Sequence, residues 1–193
     1  MSDAVRITLP VGGETLRALP VGTAVLLSGP VYTARDATHA RLAAELEATG
    51  SLPYGLAGQV LFYAGPTPPA AGRPAGAVGP TTAKRMDAWT PALLAAGIIA
   101  TIGKGARSEA VRRACVERGA VYLAAVGGAA ALLARHVTSA VTVAYPELGT
   151  EALVRMELDG LPVWVAIDAG GRDLYAESRA EWGSGASHGG VTP

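Results

Sequence analysis

The sequence predicts a mixed α/β domain in which a sheet is layered with helices. Two patterns carry that prediction. β-Rich apolar runs alternate with helical runs through the middle of the chain, as successive βα units do. Near the end, two alternating runs flank an Asp-Gly pair in the manner of an antiparallel hairpin. Half of the 193 residues are apolar, enough for one domain of ordinary size with a substantial core.

In chain order, residues 6–9 and 24–27 read as short strands bounded by Pro and Gly, with a turn of helix in GGETLRAL between them. Residues 35–48 place Leu42 and Leu46 at helical spacing among alternating charges, and Thr49 and Gly50 stop the helix. A strand is expected at 59–64. The stretch AGPTPPAAGRPAGAVGP that follows is too rich in Pro and Gly for regular structure and reads as an ordered loop or flap. A helix over 81–96, interrupted near Thr90 and Pro91, then leads to a strand at 98–102, a helix at 108–118 and a strand at 121–125. The alanine-rich segment 127–136 is expected as a closely packed helix and 140–144 as a strand. Residues 151–158 and 161–168 form the expected hairpin around Asp159 and Gly160. The domain is placed at 1–177. Residues 178–193 read as a flexible tail, in which His188 is expected to be disordered rather than a ligand.

Charge excludes several classes of partner. Sixteen basic residues balance sixteen acidic ones, so no global field draws nucleic acid or an anionic membrane surface, and any anion recognition must be local. The alanine-rich uncharged run 119–134 falls short of the roughly twenty apolar residues a membrane span needs. The N-terminal MSDAVRITLP has no apolar stretch of the kind a secretory signal carries. The single cysteine, Cys115, lies on the apolar side of a predicted helix, where burial is its expected role. One thiol makes no internal disulfide and cannot ligate an iron-sulfur cluster, and a reducing, cytoplasmic location fits best.

Three loops join small residues to a cation: SGPVYTARDATH at 28–39, VGPTTAKRMDAWTP at 78–91 and TIGKGARS at 101–108. They set Arg35, Arg85 and Lys104 beside exposed backbone, which suits a small dicarboxylate. In the second loop, Thr81 or Thr82 can cap a helix whose free amides face an anion, with the Arg85 guanidinium one turn on. An N-cap followed by a surface arginine is the plainer alternative. Lys104 between two glycines is not a Walker motif, since no Ser or Thr follows it and the preceding glycine is at the wrong spacing; a solvated lysine in a turn is the alternative. Arg35 and Asp36 lie four and three residues before His39, so on a helix a carboxylate could orient an imidazole able to move a proton near neutral pH. Routine ion pairing on a surface helix accounts for the same spacing. The turn Gly127-Gly128 lacks the pattern of a dinucleotide fingerprint, and close packing explains it better.

Taken together, seven ordered segments resemble the β subunit, or equivalent C-terminal domain, of the iron-sulfur fumarate hydratases and L-tartrate dehydratases. They are VLLSGPVYTARDATHARL, GQVLFYAGPTP, GPTTAKRMDAWTPALL, IGKGARS, AVYLAAVGGAAAL, AYPELGTEAL and IDAGGRDLY, spanning about Arg6 to Ala176. The resemblance implies a swivelling β/β/α domain and a hydro-lyase that reversibly hydrates fumarate to malate, a tricarboxylic acid cycle step. It also implies a partner α subunit whose three cysteines hold a [4Fe-4S] cluster acting as a Lewis acid, and an assembly of two α and two β chains. This chain would then be half an enzyme, contributing no metal ligand. By matching motif, Arg35, Arg85 and Lys104 would clamp the substrate carboxylates. The Thr81 hydroxyl would lie near the carbon that loses a proton, served by a base from across the interface. His39 is the second catalytic candidate and Asp36 its orienting group. Lys84, Trp89 and Ala106 depart from residues frequent in the family. An L-tartrate dehydratase β subunit is the nearest alternative, and a non-catalytic dicarboxylate-binding or interaction domain is the alternative of another class.

Overall fold

A computed structural model describes residues 4–185 of the chain. Its strands are β1 (Val5–Thr8), β2 (Ala24–Thr33), β3 (Val60–Phe62), β4 (Ala100–Gly103), β5 (Val121–Ala124), β6 (Val137–Ala144) and β7 (Leu153–Ile167). The helices are α1 (Gly13–Arg17), α2 (Asp36–Thr49), α3 (Thr90–Ala95), α4 (Glu109–Arg118), α5 (Ala130–Leu133) and α6 (Leu174–Gly185), and 3₁₀ turns occupy Ala83–Met86, Ala134–His136 and Pro146–Glu151.

The seven strands form one mixed sheet in the order β1-β2-β3-β4-β5-β7-β6, with β2 also paired to β7. The first five run parallel to one another, while β7 runs antiparallel to β2, β5 and β6. Hydrogen bonding therefore closes a ring through β2, β3, β4, β5 and β7, with β1 and β6 at its margins. Alternation along these strands divides the core in two. Val31, Phe62, Ile102, Leu123 and Val163 belong to the cluster that fills the ring. The alternate residues Leu61, Tyr63, Tyr122 and Ala166 pack outside it against Leu42 of α2, Leu93 and Leu94 of α3, and Val111 and Cys115 of α4. Each fully buried leucine or valine among them contributes about 1.5 to 3 kcal/mol.

Local chemistry explains the helices that formed as expected. In α4 the Ser108 hydroxyl accepts from the Val111 amide at 3.4 Å, Gly119 closes the helix in a left-handed conformation, and Val111, Ala114 and Cys115 supply the buried face. Gly50 ends α2 the same way, with φ 73.

Four expectations are corrected. No hairpin forms at Asp159 and Gly160, because β7 continues through them and finds partners on both halves: Val154 to Leu158 pair with both β6 and β2, and Leu161 to Trp164 with β2. Gly160, at φ 62, instead faces a register shift between Leu27 and Gly29, and its amide donates to Ser28 Oγ at 2.9 Å. Residues 28–33, expected as loop, extend β2 to Thr33. The single broken helix over 81–96 is a 3₁₀ turn followed by α3, whose start is marked by Pro91 in the first turn. The alanine-rich helix is reduced to α5 and a 3₁₀ turn after Gly127 and Gly128. Of the expected tail, Ser178 to Gly185 continue α6; 186–193, with His188, lie outside the described residues. Among the described residues, no helix is long and apolar enough to cross a membrane.

Candidate active site at the carboxyl rim of the parallel strands

Because β2, β3, β4 and β5 are parallel, their carboxyl ends share one rim, the side of an α/β sheet where ligands bind. Arg35 and Asp36 follow β2, Gly65 follows β3, Lys104 follows β4 and Gly127 follows β5. Short bridges from Pro80 to Ala64 and from Thr82 to Lys104 fasten the Gly-Pro-Thr-Thr segment to the same rim. The Thr81 amide donates to the Tyr63 carbonyl at 2.6 Å and the Lys104 amide to the Thr81 carbonyl at 3.2 Å, while the Ala83 amide donates back to Lys104 at 2.9 Å. Thr81 and Lys104 are thereby neighbours through their backbones, both half-buried. The Lys104 stem lies against Gly127, where a Cβ would come 3.2 Å from Lys104 Cδ.

The two arginines are engaged. Arg85, on the Ala83–Met86 turn, donates from Nε to Asp36 Oδ1 at 2.9 Å, and its Nη2 lies 2.8 Å from Oδ2. Arg35 precedes α2, with Nη2 3.3 Å from Glu151 Oε1 and its buried Nε without a hydrogen-bond partner among the described residues. The other Glu151 oxygen accepts the Ala37 amide at 2.9 Å, and the Thr38 hydroxyl donates to the Glu151 carbonyl. Glu151 thus caps α2 from a distant segment, since Arg35 in the capping position provides no side-chain cap of its own. Lys104 makes no ion pair among the described residues. The rim is therefore less cationic than three bare charges would make it, and an arriving carboxylate meets guanidinium groups already oriented by Asp36 and Glu151.

His39 lies outside the pairing expected of it. Its ring is fully buried, edge-on to Tyr63 with centroids 5.0 Å apart, and Nδ1 lies 2.9 Å from the Arg35 carbonyl. The orienting group is thus that carbonyl. Asp36 serves Arg85 instead, whose forked donors match a carboxylate better than one imidazole N–H does. Burial pushes the His39 pKa down to about 4; the bond to Arg35 and the charge of Asp36 oppose the fall, and Arg107 adds to it. The imidazole is neutral at pH 7, whereas the spacing alone predicts a group poised to titrate there.

The fumarase C-terminus family matches residues 1–178. The chain belongs to that family. Fumarate hydratase 2 of Leishmania major is 37% identical over 169 residues, covering 86% of this chain and 30% of that protein. The anaerobic class I fumarate hydratase of Escherichia coli is 38% identical over 164 residues, covering 84% and 30%. The L(+)-tartrate dehydratase subunit beta of Escherichia coli is 32% identical over 179 residues, covering 90% and 87%. This fumarase C-terminus chain thus spans about 30% of the length of the fumarate hydratases and most of the tartrate dehydratase subunit.

Beneath the rim, this member of the fumarase C-terminus family holds a charge that sequence reasoning missed. The Arg107 side chain has 0% exposure and donates from Nε to Asp87 Oδ1 at 2.7 Å, from Nη1 to Thr101 Oγ1 at 3.2 Å and from Nη2 to Thr90 Oγ1 at 2.8 Å. Its guanidinium carbon lies 5.2 Å from the Tyr63 ring centroid and 4.9 Å from that of Tyr122. Burial opposes this charge, but Tyr63 and Asp87 outweigh it and hold the guanidinium pKa above its ordinary value. Nothing in ARS at 106–108 distinguishes such an arginine from a surface one. Glu151 was equally silent, although AYPELGTEAL was visible as a motif.

Metal donors are scarce. Among the described residues, no group of three or more His, Cys, Asp or Glu side chains is placed to hold a metal ion. Cys115 is buried, and burial pushes its thiol up to about 11. A cleft of about 330 Å³ opens between the proline-rich loop and β6, lined by Pro66, Pro68, Pro74, Ala140 and Thr150, and none of the expected site residues lines it.

Proposed function

We propose that this chain is the β subunit of a heteromeric hydro-lyase that reversibly hydrates fumarate to malate at a site shared with an α subunit. The observation that carries the reading is the convergence of Thr81, Lys104, Arg35 and Arg85 along one rim of a fumarase C-terminus domain. The relatives support the division of labour. One that this chain nearly spans is named as a subunit, and the fumarate hydratases have most of their length beyond the match. In this reading the sheet is the swivelling β/β/α domain, and the complex works in the cytoplasm.

The [4Fe-4S] cluster implied by the resemblance does not fit the donors present here. A lone, buried, protonated thiol cannot replace three thiolates, so the cluster is assigned to the α subunit, where it would act as a Lewis acid.

What this chain contributes is binding and proton handling. Lys104 and the two guanidinium groups take the substrate carboxylates, each charge-assisted contact stabilising the complex by about 1.5 to 3 kcal/mol before desolvation. Those at Arg85 and Arg35 are reduced by the carboxylates already facing them. Hydration adds the water oxygen to one alkene carbon and a proton to the other. The Thr81 hydroxyl is assigned to that second carbon, passing its proton to and from a base across the interface. His39, the other catalytic candidate, contributes as a neutral group that holds the Arg35 carbonyl at the start of α2.

The test is fumarate hydration by this chain with and without the α subunit, both expressed anaerobically, followed by ultraviolet loss of fumarate. Activity confined to the pair is the expected result. A tartrate dehydratase is favoured by one observation, the 87% coverage of that β subunit, and a pair active on tartrate alone would move the reading there. A cluster-loaded pair inert toward every diacid would favour a dicarboxylate-binding or interaction domain.

A further inference from the structure

We propose that Arg107 and Asp87 are positioning residues that fix the Arg85 turn and the Lys104 loop relative to one another; their catalytic consequence rests on the hydro-lyase reading above.

Their placement in the chain motivates the assignment. Asp87 stands two residues after Arg85 and Arg107 three residues after Lys104, so their bond ties together the two segments that carry those cations. Each partner is anchored further. Asp87 Oδ2 accepts the Ser108 amide at 2.6 Å, which fixes where α4 begins. Arg107 reaches Thr101 on β4 and Thr90 on α3, and the Thr90 hydroxyl also donates to the Met86 carbonyl at 2.9 Å, the last residue of the Arg85 turn. The Tyr63 hydroxyl lies 3.0 Å from Thr90 Oγ1, and the Tyr63 carbonyl accepts the Thr81 amide. One guanidinium on the Lys104 loop therefore holds the 78–91 loop directly at Asp87 and Thr90, and is linked through Thr90 and Tyr63 to the Thr81 amide.

Stability alone is a poor account of the arrangement. A buried ion pair can often be replaced by apolar groups of similar volume without loss, and its better-attested use is to select one geometry among several. Here the selected geometry is that of groups assigned to two carboxylates of one small substrate, where a displacement of about 1 Å can cost about a hundredfold in rate.

The test uses Arg107→Lys, which keeps the charge and loses the fork, in the assembled complex with the α subunit. We expect kcat/KM for fumarate to fall about a hundredfold. Added to Arg85→Leu, the same change should cost little more, because residues acting as one unit are non-additive. Effects that multiply would overturn the proposal. The second measurement needs no activity. Amide hydrogen exchange should rise about tenfold or more within 81–87 and 101–108 and stay unchanged in 24–33 and 153–167. A uniform rise, or none, would overturn it. If Arg107→Lys fails to fold, Thr101→Val removes one acceptor and should produce the same localised exchange on a smaller scale. A wild-type complex inert toward every diacid sinks the functional reading alone, and the exchange pattern still decides the positioning claim.

Discussion

Arg85 and Asp36 meet through two contacts, 2.9 Å from Nε and 2.8 Å from Nη2, joining the turn after the Gly-Pro-Thr-Thr segment to the first residue of α2. The side chains are 50% and 29% exposed, so the pair contributes about 1 kcal/mol or less to stability. Its value lies in aiming the guanidinium. Asp36→Asn should leave the urea midpoint nearly unchanged while lowering kcat/KM of the complex about tenfold, and Arg85→Leu should lower it by about a hundredfold without unfolding the domain. Both are read by steady-state kinetics beside urea unfolding. An Asp36→Asn enzyme with wild-type kinetics would show that Arg85 needs no orienting partner.

His39 makes stability depend on pH in a defined direction. Its pKa falls from 6.5 to about 4 on folding, so between those values the unfolded chain binds more protons than the native one. The stabilisation is complete above pH 6.5 and is lost as pH falls toward 4, on the order of 3 kcal/mol for the gap at about 1.36 kcal/mol per unit. Urea titrations from pH 7 to pH 4.5 should show this slope in the wild type and a flatter one in His39→Gln. Parallel slopes would mean that the ring is not held neutral.

Local signals made part of this legible. The Leu42 and Leu46 spacing with Gly50 fixed α2, and Ser108 with Gly119 bracketed α4, because caps and periodicity act within a turn or two of chain. Asp159-Gly160 misled for the complementary reason. A turn signal is local, whereas the partner that keeps β7 extended is β2, far earlier in the chain. The site divides the same way. The three loops and their cations were readable as motifs, but Asp36 lies beside His39 in spacing and beside Arg85 in space. The carboxylate of Glu151 and the buried fork of Arg107 act across distances that no one-dimensional pattern records.

Cys115 should be chemically silent in the native chain. With its pKa near 11 and its side chain packed among Val111, Ala114 and Tyr122, the thiolate is scarce at pH 7. A maleimide should label it only after denaturation. Anaerobic incubation of the isolated chain with iron and sulfide should leave no bound iron after desalting, measured by elemental analysis. Stoichiometric retained iron would refute the assignment of the cluster to another subunit.

Gly65 shows how closely the backbone confines Arg35. A Cβ there would stand 2.9 Å from Arg35 Cδ, 3.0 Å from its Nη1 and 2.9 Å from the Thr150 carbonyl oxygen. The arginine tip could yield alone, but the carbonyl belongs to the segment that presents Glu151 to α2, so relief on one side tightens the other. Gly65→Ala should therefore destabilise the chain by about 1 to 3 kcal/mol and raise KM for the diacid by disturbing the Arg35–Glu151 pair. Gly128 is the control. A Cβ there meets nothing within 4 Å, and the cost of Gly128→Ala is confined to its φ of +79, on the order of 1 kcal/mol with KM unchanged. Urea unfolding and substrate titration of the two variants side by side separate crowding from backbone strain, and equal KM values for both would remove Gly65 from any part in placing Arg35.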